Sequence, residues 1–393
     1  MPLSLQLLAG VDFHTLPQQV VNGIMLGAIY ALIALGYTMV YGVLKLINFA
    51  HGEVYMLGAY VALFASWRLG FTPEATRGTN LQSSAFNLVI LLLASMAICA
   101  LIGVIIERFA YRPMRQHARI ASLITAIGVS MFLQFGGALV LPISPEPNVS
   151  GEINPYKGTY QASLTPSPTA LVRQRDAAKQ PYEAAQKTFD EYIAATHEDR
   201  FNLSPKGIEA RDLAQQAERT YKDLESKVES AGVSVIVPKG QLVMLVTAVF
   251  LMLLLRHLVM RTRAGRAMRA VSHDFDSAAL MGVNVNRIVV LTFVLGSSMA
   301  GAGAMMTATF LGTPLTTFYG MEAGVKAFTA AVLGGIGNIP GAVLGGLLMG
   351  VVEEMVVWAG YSSYRDAIAF VVLILVLLFR PGGLLGSATM EKI

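Results

Sequence analysis

The side chains best suited to chemistry lie in segment 46–53, inside an otherwise apolar stretch. Here Asn48, His51 and Glu53 surround Gly52. A charged group at mid-bilayer costs about 3 kcal/mol or more, so such groups face a bundle interior or a water-filled path. Gly52 allows the helix to break, which would free backbone N–H and C=O groups for a polar solute. Alternatively, Asn48 and His51 only bridge neighbouring helices.

A second predicted helix break lies at 333–341, where four glycines and Asn338 separate two apolar runs. No strand precedes this segment and no Lys-Ser/Thr pair follows it, so it is not a nucleotide-binding loop. Glycine spacings such as Gly346/Gly350 and Gly23/Gly27 favour close packing between helices. For the glycines of 334–341, the alternative to packing is a helix break that lines the pore. The residues assigned to the translocation path and its broken helices are Asn48, His51, Gly52, Glu53, Gly334, Gly335, Gly337 and Asn338.

Two further groups of charged residues fall within or near apolar runs. Glu322 and Lys326 are four residues apart, so they share a helix face and are predicted to form an intramembrane ion pair. Such a pair would be structural or would gate the path. Glu353 and Glu354 are predicted to lie at the external interface.

Composition excludes several classes of protein. The chain is 54% hydrophobic and 14% charged, with a mean hydropathy of +0.56, whereas soluble domains have about 25% charged residues. Cys99 is the single cysteine, which excludes an internal disulfide, and the net charge of +4 is too small to indicate nucleic acid. Neither a metal-spaced His/Cys cluster nor a catalytic triad is recognisable, so we expect no cofactor, no metal and no enzymatic activity.

Hydropathy predicts an all-α, polytopic membrane protein, a helical bundle of about 8–10 spans with broken helices. Runs 46–67 and 322–337 are the least regular. The nine candidate spans are 18–43, 46–67, 86–106, 120–141, 240–258, 287–311, 322–337, 340–359 and 364–380.

Arginines in the short loops predict the orientation, because loops rich in Lys and Arg stay in the cytoplasm. They cluster after the third, fifth and last predicted spans. The clusters are Arg108, Arg112, Arg115 and Arg119, then Arg256, Arg261, Arg263, Arg266 and Arg269, then Arg380. We therefore expect the N-terminus outside and the C-terminus in the cytoplasm.

A polar, highly charged insert divides the membrane domain into an N-terminal half (1–141) and a C-terminal half (240–393). The orientation makes insert 142–239 periplasmic. After an irregular proline-rich start, two helical patterns begin at the predicted caps Thr169 and Ser204 and indicate an antiparallel helical hairpin. The hairpin is either a solvated spacer or a docking surface for an extracytoplasmic partner.

The predicted cytoplasmic loop 260–286 carries a basic helix with Arg263 and Arg266. Its later part is similar to a degenerate form of the Glu-Ala-Ala-xxx-Gly loop with which ABC permeases contact their ATPases. The alternative is an interfacial helix on anionic lipid headgroups. The residues assigned to ATPase coupling are Arg263, Arg266, Asp276, Ser277, Ala278 and Gly282.

Four longer strings resemble the membrane subunit of branched-chain amino acid ABC importers. They are LGYTMVYG at 35–42, INFAHGE at 47–53, KAFTAAVLGGIG at 326–337 and RPGGLLG at 380–386. The likeness covers about 17–141 and 240–393. It implies a second related permease subunit, two cytoplasmic ATPase subunits and a periplasmic solute-binding protein as partners.

The resemblance predicts a multi-pass permease of the bacterial inner membrane, in contact with lipid, that moves branched-chain or hydrophobic amino acids by alternating access. ATP hydrolysis belongs to the partner ATPases, because the chain has no Walker-A sequence. Relatives with the same body carry urea, short amides or other neutral amino acids, which leaves those substrates as alternatives. An alternative of another class is a stand-alone secondary carrier or channel.

Overall fold

The computed structural model describes residues 13–72, 83–115, 117, 119–143, 147–164, 169–196, 203–231 and 233–386. These residues are mostly helical. The longer helices are α1 (Leu16–Leu44), α2 (His51–Arg68), α3 (Ala85–Ile106), α4 (Arg119–Val140), α5 (Thr169–Thr196), α6 (Pro205–Ala231), α7 (Lys239–Arg261), α8 (Arg263–His273), α9 (Phe275–Leu280), α10 (Val285–Met306), α11 (Tyr319–Gly334), α12 (Ile339–Trp358) and α13 (Arg365–Phe379).

Short elements complete the described chain. Two strands, β1 (Thr159–Ser163) and β2 (Ser234–Pro238), form a two-stranded sheet. The wide π-helical turns Glu107–Tyr111 and Thr307–Leu311 extend α3 and α10. The remaining short helical turns are Phe13–Thr15, Arg112–Met114, Gly151–Ile153 and Ser362–Tyr364.

Seven helical segments of the described chain are long and apolar enough to cross a membrane, which makes the protein a polytopic helical membrane protein. They are Leu16–Leu44, Ala85–Met114, Ile120–Val140, Lys239–Arg261, Val285–Leu311, Ile339–Trp358 and Ser362–Phe379. Each of these segments overlaps one of the nine predicted spans.

The two other predicted spans, 46–67 and 322–337, correspond to α2 and α11 and differ from the rest. Helix α11 has only 16 residues, and α2 includes polar groups at its start. Twelve of the 18 residues of α2 and eight of the 16 residues of α11 are buried. Helix α2 packs against α3, α10 and α11, and α11 packs against α12 and α13. Because protein covers much of their surface, they do not need a continuous apolar surface.

Glycines bring α1 and α12 into backbone contact. A Cβ atom at Gly27 would lie 2.7 Å from the Cα of Leu347, and one at Gly346 would lie 2.5 Å from the Cα of Ala31. Further along, Gly350 abuts the backbone of Gly23. The predicted role of these small residues in close helix packing is confirmed, since any side chain would force the backbones apart.

Small residues also join α2, α3 and α10. The Ser95 hydroxyl lies 2.9 Å from the carbonyl of Gly58 and 2.8 Å from that of Gly301, so one side chain bridges three helices. One turn further, the fully buried thiol of Cys99 lies 3.4 Å from the Val54 carbonyl. Hydroxyl and thiol donors of this kind hold helices together where lipid provides no hydrophobic drive.

Residues 160–236 form the main part of a second compact unit. In it α5 packs along α6, and the rings of Tyr182 and Tyr221 stack with centroids 5.1 Å apart. The Ser204 hydroxyl accepts a hydrogen bond from Gly207 N at 3.3 Å, which confirms its capping role, whereas Thr169 is itself the first helical residue. The proline-rich start of the insert, which was expected to be irregular, contains the helical turn Gly151–Ile153 and strand β1. Strand β1 forms because it pairs with β2, which is distant in sequence.

The close contact between α1 and α12 predicts that Gly346→Ala destabilises the protein. Overpacking against the Ala31 backbone costs about 1–3 kcal/mol, which exceeds the gain of about 1 kcal/mol in helix propensity. Thermal unfolding in detergent should show a lower midpoint. The control is Gly136→Ala on α4, because a Cβ at Gly136 meets nothing within 4 Å. Equal midpoints for the two variants would contradict the packing argument.

Candidate functional site

The first break lies between α1 and α2, before Gly52. Residues 45–50 are irregular, and Lys45 has the positive φ of 55°. Within this break the side-chain oxygen of Asn48 accepts a hydrogen bond of 2.9 Å from the Tyr111 hydroxyl. The sequence therefore predicted a break correctly but placed it at Gly52, which lies in the first turn of α2. This hydrogen bond connects the break to the π-helical turn Glu107–Tyr111.

His51 packs against α1. Its ring is fully buried, with its centroid 4.7 Å from that of Tyr37, and it occupies the space where Gly36 has no side chain. Apart from a weak contact with the Ile33 backbone, neither ring nitrogen has a hydrogen-bond partner among the described residues. His51 is absent from the lining of the cavity described below. The lack of a side chain at Gly36 lets the ring pack against α1. The assignment of His51 to the translocation path stays a prediction.

The first turns of α2 and α11 cross in direct backbone contact. A Cβ atom at Gly320 would overlap the Gly52 carbonyl and lie 2.7 Å from Glu53 Oε2. At Gly324, a Cβ atom would lie 3.0 Å from the Gly52 Cα and 3.2 Å from the Tyr37 hydroxyl. Only glycine allows this approach, so the sequence brings the N-terminal ends of two interrupted helices side by side.

A cavity of about 430 Å³ lies beside this crossing, between α1, α2, α4 and α11. Among the described residues Glu53 contributes the only carboxylate to its lining, and Glu53 Oε1 accepts a hydrogen bond of 3.1 Å from the Ser130 hydroxyl. Glu53 Oε2 and Gln134 Nε2 are both buried and have no partner among the described residues. Most of the remaining wall is aromatic or thioether, including Phe49, Phe135, Phe318, Phe328, Met131 and Met321.

Sequence reasoning missed the contribution of α4 to the cavity. Ser130 and Gln134 are four residues apart in an otherwise apolar helix, so they share one face. Polar side chains placed in this way within a membrane helix point toward protein or water. That spacing was the available signal.

The second break separates α11 from α12 and packs against the C-terminal segment. Gly335 and Gly337 have φ values of 105° and 92°, which favour glycine. The Asn338 side chain accepts a hydrogen bond from Gly341 N at 3.1 Å and donates one to the Leu385 carbonyl at 2.6 Å. The predicted helix break is present.

The alternative role of this second break, lining the pore, stays a prediction, and the structure shows what surrounds the break. Gly334, Gly335, Gly337 and Asn338 are not part of the cavity wall. Leu384 N instead donates a hydrogen bond of 2.8 Å to the Leu333 carbonyl, and Gly335 lies against the backbone of 382–386. The C-terminal segment therefore occupies the space around the glycines.

Lys326 forms ion pairs with carboxylates of the following helices, and the predicted partner Glu322 is exposed. Lys326 Nζ lies 2.7 Å from Glu353 Oε1 and 2.6 Å from Asp366 Oδ1. Helix spacing alone favoured Glu322, but the buried carboxylate of Glu353 needs a counter-charge far more than an exposed one does. The predicted pairing of Glu322 with Lys326 is therefore replaced by contacts across helices.

Glu353 is the centre of this charge cluster. Its second oxygen accepts a hydrogen bond of 2.7 Å from the Tyr30 hydroxyl, and Arg365 Nε lies 2.6 Å from Oε1. Arg365 also pairs with Glu354 at 2.8 Å. Both glutamates are buried in the protein. Their predicted position near the external interface stays a prediction. The cluster joins α1, α11, α12 and α13.

The segment 260–286 forms two short helices with an exposed tip. Arg263 and Arg266 on α8 are exposed, as are Asp276 and Ser277 on α9, whereas Ala278 is buried. Gly282 ends the turn after α9 with a φ of 84°. At this end Leu280 and Met281 are 89% and 84% exposed, an apolar tip that the sequence analysis missed.

The start of α9 is fixed by Asp274. Its carboxylate accepts hydrogen bonds from the backbone N–H groups of Asp276 and Ser277 at 2.8 and 2.9 Å. These bonds favour the ionised form and lower the pKa of Asp274 below its ordinary value. The cap therefore stabilises α9 fully above the ordinary carboxyl pKa and weakens as the pH falls through the lowered value. After α9, the Asn286 side chain accepts a hydrogen bond of 2.9 Å from Arg115.

A family model described as the permease component of branched-chain amino acid transport systems matches residues 19–377. The chain belongs to this family of permeases. The permease is 36% identical to the high-affinity branched-chain amino acid transport system permease protein BraD of Pseudomonas aeruginosa, over 97% of its own length and 99% of BraD. It is 35% identical to the permease protein LivH of Escherichia coli K12, over 96% and 97% of the two chains.

A more distant relative imports a different kind of solute. The permease is 31% identical to the autoinducer 2 import system permease protein LsrC of Salmonella paratyphi B, over 33% of its own length and 39% of LsrC. No solved structure matches the chain. Family membership and seven apolar helices make this a multi-pass inner-membrane protein and a component of an ABC-type transport system.

The charge cluster predicts unequal effects for the removal of Lys326 and of its exposed partner Asp366. Lys326→Met removes one of the two cations that pair with the buried Glu353; with Arg365 still in place it should cost about 3 kcal/mol of stability, the low end for a broken buried pair. Asp366→Asn should cost less than about 1 kcal/mol, because the Asp366 side chain is 69% exposed. Unfolding of the purified permease in mixed detergent would measure both. Equal losses would contradict a central role for Glu353.

Proposed function

We propose that this chain is the permease subunit of an ATP-driven importer of branched-chain and other hydrophobic amino acids. Near-complete coverage of BraD and LivH at 35–36% identity is the observation that carries the proposal. The permease works with a second, related permease subunit, two cytoplasmic ATPase subunits and a periplasmic solute-binding protein. It contributes no catalytic group, because ATP is hydrolysed on the ATPases.

The proposed orientation has the N-terminus outside and the C-terminus in the cytoplasm. It places α8 and α9 in the cytoplasm and insert 142–239 in the periplasm. Support comes from the exposed arginines Arg263, Arg266 and Arg269 between α7 and α10, because positively charged loops remain on the cytoplasmic side.

In this proposal ATP-driven closure of the ATPases pushes on the tip formed by Leu280 and Met281, with Asp276 and Ser277 at its side. The Arg115–Asn286 contact carries the movement to the end of α3. There the Tyr111–Asn48 hydrogen bond connects to the break at 45–50 and so to the start of α2. Alternating access then follows from a movement of α2 relative to its neighbours.

A coupling test uses the exposed tip. The double variant Leu280→Asp/Met281→Asp should reduce ATP-dependent leucine uptake in proteoliposomes of the complete transporter at least tenfold, because two carboxylates would enter an apolar contact. Conservative swaps, Leu280→Met/Met281→Leu, should restore uptake. A stand-alone carrier would instead keep importing leucine in the Asp variant and in wild type without nucleotide, and that result would refute the proposal.

A second test concerns the insert, which we propose contributes to docking the solute-binding protein. The backbone N–H of Leu164 donates a hydrogen bond of 2.7 Å to the Val233 carbonyl, so an Asn-Gly turn can replace 165–232. The shortened permease should assemble with its partners but bind the solute-binding protein at least tenfold more weakly, as measured by surface plasmon resonance. Unchanged affinity would identify the hairpin as a spacer.

A further inference from the structure

We propose that the cavity beside the α2–α11 crossing is the transit site for a zwitterionic amino acid with an apolar side chain. Glu53 receives the ammonium group, and Gln134 with the starts of α2 and α11 receives the carboxylate. This inference deepens the proposed function and rests on it.

The acceptor side of the site is the carboxylate of Glu53. This side chain is 2% exposed, and its only hydrogen bond among the described residues comes from the Ser130 hydroxyl. No described lysine or arginine forms an ion pair with it, so a buried carboxylate lacks a counter-charge. Because an unpaired charge in the interior is expensive, an incoming ammonium group would gain a charge-assisted hydrogen bond from Oε2.

The donor side combines one side chain with two helix ends. Gln134 is 7% exposed, and its Nε2 has no acceptor among the described residues. Gly52 and Gly320, in the first turns of α2 and α11, also line the cavity. Neither helix has a side-chain cap, although the N–H groups of His51, Tyr319 and Met321 already donate to nearby carbonyls. The positive ends of the two helix dipoles, rather than these N–H groups, would therefore attract a carboxylate in the cavity.

The rest of the cavity fits a branched apolar side chain. Four phenylalanines and two methionines face it, and its volume of about 430 Å³ falls in the range of small-molecule sites. Methionine adapts to side chains of different branching, which suits a permease for several hydrophobic amino acids. Urea or a short amide would leave most of this apolar wall without contacts, so the lining favours amino acids.

The test measures ligand binding to the nucleotide-free complex of the permease, its partner permease and the two ATPases in nanodiscs, without the solute-binding protein. The probes are L-leucine, 4-methylpentanoate, which lacks the ammonium group, and isopentylamine, which lacks the carboxylate. We expect leucine to bind at least tenfold more tightly than either analogue. Equal affinity for leucine and 4-methylpentanoate would overturn the role of Glu53.

Variants then test separately how the site recognises the ammonium group and the carboxylate of the ligand. Glu53→Gln should weaken leucine binding at least tenfold and leave the affinity for 4-methylpentanoate unchanged. Gln134→Leu should weaken leucine binding while sparing isopentylamine, and Glu53→Asp should restore part of the leucine affinity. The matched control is Glu322→Gln, an exposed glutamate on α11 outside the cavity wall. A purely structural role would reduce binding of all three probes together, and that pattern would overturn the site.

Failure of the site and failure of the proposed function give different results. If the wild-type transporter imports leucine but Glu53→Gln and Gln134→Leu bind leucine normally, the site is wrong and the function stands. If the wild type imports no leucine with its partners and ATP present, the proposed function fails first. Native mass spectrometry that finds a phospholipid which leucine cannot displace would also overturn the site.

Discussion

The contact between the backbones of Gly52 and Gly320 determines the centre of this permease. It places the starts of two interrupted helices side by side, where their positive ends would repel each other in a medium of low dielectric constant. Glu53, one residue from the contact, lines the cavity beside it. The cavity lies beside this contact, and Gly52, Gly320 and Gly324 are part of its wall.

Helix α11 is held at three levels along its length. Its first turn contacts α2, Lys326 in its middle pairs with carboxylates of α12 and α13, and its end is bonded to the C-terminal segment through Leu333 and Leu384. A displacement of α11 therefore involves the charge cluster and the C-terminal segment together. This arrangement suits a rigid-body movement more than local bending, because the buried ion pairs would be costly to separate.

Much of the architecture could be predicted from hydropathy, since membrane helices satisfy their own backbone and need only length and apolar surface. Prediction was weaker for α2 and α11, because helices surrounded by protein can be short and polar. The positions of Lys326 and His51 depend on partners distant in sequence, such as Glu353 and Gly36. Helix spacing identifies only neighbours three or four residues away on the same helix, so it cannot predict that a residue from another helix is the actual partner.

Cys99 gives the permease a useful experimental property. It is the only cysteine of the chain, and its thiol is fully buried between helices at the Val54 carbonyl. Spin labels or fluorophores that react with thiols will therefore attach to cysteines introduced at exposed positions and spare the native one. Spectroscopic distance measurements during the transport cycle can start from the unaltered sequence, without a cysteine-free background.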